Sequence, residues 1–227
     1  MAEAAHIPDE AETRARWGSF AWSEENQRRA NEILGRYPQG RKQSASIPFL
    51  DLAQRQVGAE TQTQGWLPVP VIEFVARQIG VPYMRVFEVA TFYTMFNLAP
   101  VGRYHVQVCG TTPCMLAGSD DVLAACKNKG LSKGRTTPDG VFTLTEVECL
   151  GTCANAPMVQ INDDNYEDLD YDRTTAVLEA LARGEQLKTG SQIGRQTSCP
   201  EGGPTTLTAM ANENHDYRGE WGTVHAG

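Results

Sequence analysis

Four of the six cysteines form two pairs between residues 109 and 153. Four residues separate Cys109 from Cys114, three separate Cys149 from Cys153, and 34 residues lie between the two pairs. Each pair begins where a segment with the alternating pattern of a β-strand ends. Because four converging thiolates can bind a 2Fe–2S cluster or a tetrahedral zinc ion, these cysteines predict a metal centre.

The spacing of the cysteines bears on which metal they would bind. Structural zinc ribbons favour pairs with two intervening residues, and both gaps here are wider, which suits ligands shared between two metals. Residues 110–112 and 151–152 are Gly and Thr, small residues that can offer backbone N–H groups to sulfur. No Cys-x-His pair, which a Rieske centre would need, is present. Spacing alone favours a 2Fe–2S cluster and leaves zinc and structural or redox-active thiols open.

Two predicted strands could bring the cysteine pairs together. Apolar and polar residues alternate over 104–109, which end at Cys109, and a second strand is predicted over 141–148, just before Cys149. If these strands are neighbours in a sheet, both cysteine loops emerge at the same edge. We therefore expect the four thiols to meet there.

The rest of the chain predicts three further regions. We expect a flexible arm over residues 1–19 and a helical bundle over 20–97. Ser23 is the predicted N-cap of the first helix in the bundle. The next three helices are predicted over 46–57, with Gly58 as the C-cap, over 69–79, which ends before Gly80, and over 82–93.

Residues 98–185 predict a small α/β domain with the element order β-α-β-β-β-α, which makes the chain α+β or α/β overall. Its helices should cover 120–129, capped by Ser119, and a final stretch from a cap at Asp172 to Arg183. A hairpin should join residues 157–161 to 166–169 through the loop 162–165. Residues 186–227 are rich in Gly, Ser, Thr and Pro and predict an extended tail that is ordered only by a partner.

Composition restricts the classes of function. The net charge of −8 argues against a nucleic-acid binder, and no stretch approaches the roughly 18 apolar residues of a membrane span. The N-terminus lacks the basic and apolar regions of a signal peptide. We therefore expect a reducing compartment, in which cysteines bind metals more often than they form disulfides.

The cysteine segments CGTTPCMLAGS (109–119) and CLGTCANAPMVQIN (149–162) resemble the two ligand loops of the 24-kDa subunit family of NADH:quinone oxidoreductase, respiratory complex I. Residues 87–109 and 165–170 extend the resemblance, which covers about residues 20–185. It implies a thioredoxin-like ferredoxin domain behind a helical bundle. It also implies one 2Fe–2S cluster with Cys109, Cys114, Cys149 and Cys153 as its ligands.

The same resemblance implies a place in a larger complex. The cluster would exchange single electrons with FMN in a 51-kDa-type partner subunit that binds NADH, beside other peripheral-arm subunits. The complex would lie on the cytoplasmic side of a bacterial inner membrane, or on the matrix side if the chain is a processed organellar protein. This chain lacks the Gly-rich dinucleotide and P-loop motifs, so we expect no nucleotide site, flavin site or catalytic residue of its own.

Three alternatives remain at this point. The matching subunit of a soluble NAD-dependent formate dehydrogenase or NAD-reducing hydrogenase would use the same chemistry. A free shuttle ferredoxin would not need the helical bundle or the tail. A zinc-stabilised interaction module would have no redox role, and a metal assay with an electronic spectrum would identify it.

Several other residues have ordinary interpretations. We interpret Cys126 as a small buried apolar side chain, Cys199 as a free thiol covered by a partner, and His105 as a solvated or hydrogen-bonded side chain. The acidic run over 163–172 lacks a calcium-loop pattern and predicts a solvated hairpin tip. By resemblance, Pro157 stands where thioredoxin-like folds often hold a cis proline, and we leave both isomers open.

Overall fold

The computed structural model describes residues 8–203, 205–206 and 208. Within this part of the chain, no helix combines the length and the apolar character needed to cross a membrane. Residues 1–7 of the predicted arm, and the part of the predicted tail that follows residue 208, lie outside the described residues.

Among the described residues, five α-helices precede the sheet: α1 (Glu10–Trp17), α2 (Glu24–Gly35), α3 (Ser46–Thr61), α4 (Val69–Ile79) and α5 (Tyr83–Phe92). The prediction of a flexible arm is wrong for α1. Asp9 and Glu12 form a reciprocal capping box at its start, and Trp17 at its end is buried. A cap and one buried aromatic side chain therefore hold a helix whose other residues are mostly polar.

The helix ends agree with the predictions at two positions and differ at a third. Ser23 caps α2 by accepting a hydrogen bond from the Asn26 N–H, and Gly80 ends α4 with a left-handed φ of 78°. The prediction of Gly58 as a C-cap is wrong, because α3 continues to Thr61. Gly58 lies where the returning chain passes closely, and a Cβ there would lie 2.9 Å from the Thr63 carbonyl oxygen.

One cluster of buried apolar side chains joins the five helices. Aromatic rings are prominent in it: Trp22 packs edge-on against Phe49 and Phe74, with ring centroids 5.8 and 5.2 Å apart. This cluster extends from Trp17 to Phe96 and is separate from the cluster beneath the sheet.

The sheet is mixed and has the strand order β2-β3-β1-β4-β5-β6. Its strands are β1 (Tyr104–Cys109), β2 (Arg135–Thr136), β3 (Phe142–Val147), β4 (Val159–Ile161), β5 (Asp164–Glu167) and β6 (Gly190–Ser191). The parallel pair β1–β3 runs from Tyr104 opposite Phe142 to Cys109 opposite Val147. The expectation that the two strands before the cysteine pairs are neighbours is confirmed.

Three α-helices accompany the sheet in the part of the chain that the structure describes: α6 (Thr112–Ala117), α7 (Ser119–Asn128) and α8 (Tyr171–Ala182). The long helices α7 and α8 pack against each other and contribute to the second core. Two predicted caps are wrong. Gly118, with a φ of 106°, precedes α7 in place of Ser119, because it also ends α6. Asp170, rather than Asp172, caps α8 by accepting a hydrogen bond from the Arg173 N–H.

The predicted hairpin is tighter than expected. Asp164 and Asn165 belong to β5, so only Asn162 and Asp163 lie between the strands. Asn162 adopts a left-handed φ of 58°, and its side-chain oxygen accepts a hydrogen bond of 2.9 Å from the His105 N–H. The loop prediction of 162–165 was too long because these side-chain contacts stabilise a two-residue turn.

The prediction of an extended tail over 186–227 is wrong for the first part of that segment. Residues 190–191 form β6, which pairs in parallel with β5 through Tyr166 opposite Gly190 and Glu167 opposite Ser191. Hydrogen bonds with Asp168 and Asn155, and one between Arg195 and Cys199, hold the residues that follow. Contacts within the chain therefore hold this segment against β5 and the turn after Cys153.

Candidate metal centre

The strands place the two cysteine pairs at one edge of the sheet. Cys109 is the last residue of β1 and lies opposite Val147, the last residue of β3, and Cys149 follows two positions later. The Gly110 N–H donates a hydrogen bond of 3.3 Å to the Val147 carbonyl oxygen, so the two chain segments leave the sheet side by side.

The first pair is buried. Cys109 and Cys114 are each 1% exposed and pack with Met158, Leu150 and Ala156 in a small apolar cluster of their own. Cys114 lies in α6, a one-and-a-half-turn helix that the sequence analysis did not predict. This helix returns the chain toward the end of β1, so that the Cys114 thiol reaches that of Cys109.

The second pair is exposed. The Sγ atoms of Cys149 and Cys153 are 3.5 Å apart at the protein surface. Between them, Gly151 adopts a φ of 86°, and its N–H lies 3.4 Å from the Cys149 Sγ. Cys153 opens a short 3₁₀ turn that ends at Asn155. The left-handed glycine thus folds the loop so that both thiols and one backbone donor face each other.

Within each pair, one thiol ionises more readily than the other. Burial raises the pKa of Cys109, but hydrogen bonds from Thr111 and Leu150 outweigh it, and the net pKa is lowered. The Gly151 N–H, followed by Cys153, lowers the pKa of Cys149.

The pKa values of the other two cysteines, Cys114 and Cys153, are raised. Burial, together with Cys109, raises the pKa of Cys114 to about 12, and the hydrogen bond with Cys149 raises the pKa of Cys153. Within each pair, the pKa of one cysteine is therefore lowered and that of its neighbour is raised.

Thr111 connects the two pairs, a role that the sequence analysis did not recognise. Its hydroxyl lies 3.3 Å from the Cys109 Sγ and also lowers the pKa of Cys149 from the other loop. A hydroxyl two positions after a ligand, at a strand end, was the available signal.

The donor set fits a cluster with two metals. Two thiolates that share one tetrahedral metal at about 2.3 Å lie roughly 3.8 Å apart, close to the 3.5 Å separation of Cys149 and Cys153. Over the described residues, no group of three or more Cys, His, Asp or Glu side chains is gathered about a single ion position. The Thr152 Oγ1 in the second loop is buried and has no hydrogen-bond partner among the described residues. Two separate pairs suit two irons with two thiolates each.

The remaining cysteines lie elsewhere. Cys126 is fully buried on α7 in the core beneath the sheet, where burial raises its pKa to about 12. This agrees with its interpretation as an apolar side chain. Cys199 is half-buried, and its carbonyl oxygen accepts a hydrogen bond from Arg195.

Other predicted features have mixed outcomes. His105 is buried and hydrogen-bonded to the Thr145 hydroxyl at 2.9 Å, and burial lowers its pKa to about 4. The Ala156–Pro157 peptide bond is cis. The prediction of a solvated acidic tip is wrong for Asp168, whose side chain is 4% exposed and is paired with Arg195.

Comparison with known proteins shows the family to which the chain belongs. The family model of the thioredoxin-like 2Fe-2S ferredoxins matches residues 30–182. The chain is 54% identical over 164 residues to a subunit of the NADH-quinone oxidoreductase of Rickettsia conorii, covering 72% of this chain and 95% of that one. The corresponding protein of Rickettsia bellii gives the same identity and coverage.

A solved structure is also similar, but more distantly. The air-oxidised NAD⁺-reducing NiFe-hydrogenase has a TM-score of 0.48 and 22% identity, over 58% of this chain and 23% of the hydrogenase chain. Similarity at this level does not distinguish one function from another.

Proposed function

Because the chain belongs to the family of thioredoxin-like 2Fe-2S ferredoxins, we propose that it is the electron-transfer subunit of the NADH dehydrogenase module in proton-pumping NADH:quinone oxidoreductase. Its cofactor is a 2Fe–2S cluster. The observation that carries the proposal is the placement of two cysteine pairs at the adjacent ends of β1 and β3.

The proposed ligands are Cys109, Cys114, Cys149 and Cys153, with one iron for each pair. When bound, the cluster supplies a site that accepts and donates one electron at a time. The Gly151 N–H and the Thr111 hydroxyl donate hydrogen bonds to ligand sulfurs, and such donors stabilise the added negative charge of a reduced centre. The protein therefore sets the potential and the position of the centre.

The two cysteine pairs differ in burial, and this difference indicates from which side a partner would approach the cluster. Cys109 and Cys114 lie within an apolar cluster that excludes water, whereas Cys149 and Cys153 reach the surface. Electron transfer needs a short path, so the partner should approach the exposed pair. On the helix that carries Cys114, Met115 is 52% and Leu116 is 80% exposed, and a protein partner could cover these apolar side chains.

The proposed partner is the 51-kDa-type subunit that binds FMN and NADH, together with other subunits of the peripheral arm. This chain is then one subunit of a membrane-bound oxidoreductase. It would lie on the cytoplasmic side of a bacterial inner membrane, or on the matrix side in an organelle.

The experiment is to purify the full chain without oxygen and determine its metals and acid-labile sulfide. We expect two irons, two sulfides and visible colour, with an S = ½ resonance of one spin per chain after dithionite reduction. NADH should reduce the cluster only after the flavin-bearing subunit is added. A colourless chain with a single zinc ion would exclude the electron-transfer function, and NADH oxidation by the isolated chain would contradict the proposed division of labour.

A further inference from the structure

Residues 190–199, which we call the C-terminal strap, lie beside the loop that carries the exposed cysteine pair. The strap begins with β6, which extends the sheet from β5. None of its side chains is a proposed ligand. Its Thr197 carbonyl oxygen nevertheless contacts Asn155, in the turn that begins at Cys153.

A buried ion pair anchors the strap. Arg195 donates two hydrogen bonds to the Asp168 carboxylate, from Nε at 3.0 Å and from Nη2 at 2.5 Å. The Ser191 hydroxyl donates a third to the same carboxylate at 2.6 Å, and the Arg195 Nη1 donates to the Cys199 carbonyl oxygen at 3.1 Å. The two charged side chains are only 13% and 4% exposed, so the anchor is largely removed from water.

Asn155 links the strap to the ligand loop. This residue is 2% exposed and ends the 3₁₀ turn that Cys153 begins. Its Nδ2 donates hydrogen bonds to the strap at the Thr197 carbonyl oxygen, at 2.7 Å, and to the Glu167 carboxylate, at 2.6 Å. Its main-chain carbonyl oxygen accepts a hydrogen bond of 2.8 Å from the Asp168 N–H. Asn155 is thus held both by the backbone N–H of Asp168, which anchors the strap, and by a carbonyl oxygen of the strap itself.

We propose that the C-terminal strap fixes the position of the Cys149–Cys153 loop, with Arg195 and Asn155 as positioning residues. The inference rests on the proposed ligand set. The loop needs such support because both of its thiols are exposed and its central residue is a left-handed glycine. A surface loop with little burial of its own opens easily, and opening would release the outer iron.

The test uses the full chain with its cluster and measures the rate of iron transfer to a chelator, together with the resonance of the reduced cluster. In Arg195→Ala, iron release should be about ten-fold faster, the range expected when residues that orient metal ligands are removed. Asn155→Ala should have a similar effect, and Arg195→Lys should restore part of the wild-type rate because it keeps the charge beside Asp168. The g-values should shift in the two alanine variants.

Two further variants control for general destabilisation. Arg14→Ala removes an arginine that pairs with Glu10 and Glu73 in the helical region, and it should leave iron release unchanged. The double variant Asp168→Asn/Arg195→Gln leaves no unpaired buried charge, so it should fold if Arg195→Ala does not. It should still release iron faster than the wild type.

The outcomes separate this inference from the proposed function. Wild-type release rates and g-values in folded Arg195→Ala, or in the double variant, would overturn the positioning role and leave the cluster assignment intact. Absence of a 2Fe–2S cluster from the wild-type chain would overturn the proposed function itself. Faster release in Arg14→Ala, equal to that in Arg195→Ala, would show a loss of overall stability and would contradict a role specific to the strap.

Discussion

Arg55 on α3 and Asp163 at the turn of the β4–β5 hairpin form a two-pronged ion pair between elements 108 residues apart. The Nη1–Oδ2 and Nη2–Oδ1 distances are 2.9 and 3.1 Å. Since α3 belongs to the core of the helical region and the hairpin to the sheet, this pair joins the two parts of the molecule. It also lowers the pKa of Asp163, chiefly through the hydrogen bond from Arg55.

Arg55→Ala should raise the pKa of Asp163 and reduce the free energy of unfolding by no more than about 1 kcal/mol, because both side chains are more than half exposed. A carboxylate with a lowered pKa stabilises the fold above its unfolded pKa, and this contribution is lost as the pH falls through the folded value. The difference between variant and wild type should therefore shrink well below pH 3.8. Urea unfolding of both proteins at neutral and at strongly acid pH measures this difference in unfolding free energy. Arg85→Ala, which breaks a pair within α5, is the control for losing a surface ion pair that does not join the two parts.

Each of Cys109, Cys114, Cys149 and Cys153 should be needed for the cluster. Alanine is the informative substitution, since it offers no oxygen that could replace the thiolate. Iron per chain should fall sharply in each of these variants and stay near two in Cys126→Ala and Cys199→Ala. Full iron in Cys109→Ala or Cys149→Ala, or its loss in Cys199→Ala, would refute the ligand assignment.

His105 should make the fold sensitive to mild acid. Burial lowers its pKa to about 4, so the unfolded chain binds a proton that the folded chain excludes. Above the pKa of His105 in the unfolded chain, this residue does not reduce the unfolding free energy. As the pH falls below that value toward the pKa in the folded chain, the unfolding free energy declines. Between pH 7 and 5.5 the wild type should lose about 1 kcal/mol more unfolding free energy than His105→Gln. Parallel pH dependence of the two proteins would contradict this.

Gly151→Ala should weaken the exposed cysteine loop. A side chain at a φ of 86° costs about 1–2 kcal/mol, and the strain would fall on the N–H that faces the Cys149 sulfur. The resonance of the reduced cluster should shift and iron release should accelerate. Gly151→Asn should be milder because Asn tolerates this conformation.

Gly184→Ala is the matched control for that prediction. Gly184 follows α8 with a φ of 76°, so the backbone strain is similar while the cluster is not adjacent. Both alanine variants should unfold more easily, but only Gly151→Ala should change the resonance. A changed resonance in Gly184→Ala would mean that the signal reports stability and not loop geometry.

The sequence predicted the elements whose stability comes from apolar periodicity. The alternation over Tyr104–Cys109 predicted β1 with its observed bounds, and Gly80 correctly marked the end of α4. These signals work because burial of one face and a left-handed glycine are local properties of the chain. The placement of the cysteine pairs at adjacent strand ends followed from the same patterns.

The elements that the sequence analysis missed depend on contacts with distant residues. The helix α1 has a single buried apolar anchor, Trp17, and is otherwise polar. The helix α6 is only six residues long and has Pro113 in its first turn, so periodicity has too few positions to act on. The strap is held by Asp168 and Arg195, a pair that composition cannot reveal, and its Gly, Ser and Thr content therefore indicated disorder.

The distance along the chain between β1 and β3 has a consequence for biosynthesis. At a synthesis rate of about 5–20 residues per second, Cys149 leaves the ribosome roughly 2–8 seconds after Cys109. During that interval the first two thiols have neither their partner strand nor the second pair. A nascent chain in this state can bind no more than half of the ligand set, and it exposes two thiols to oxidants and to stray metal ions. Delivery of iron and sulfide is therefore best timed after translation has passed Cys153, when the parallel pairing of the two strands can close the site.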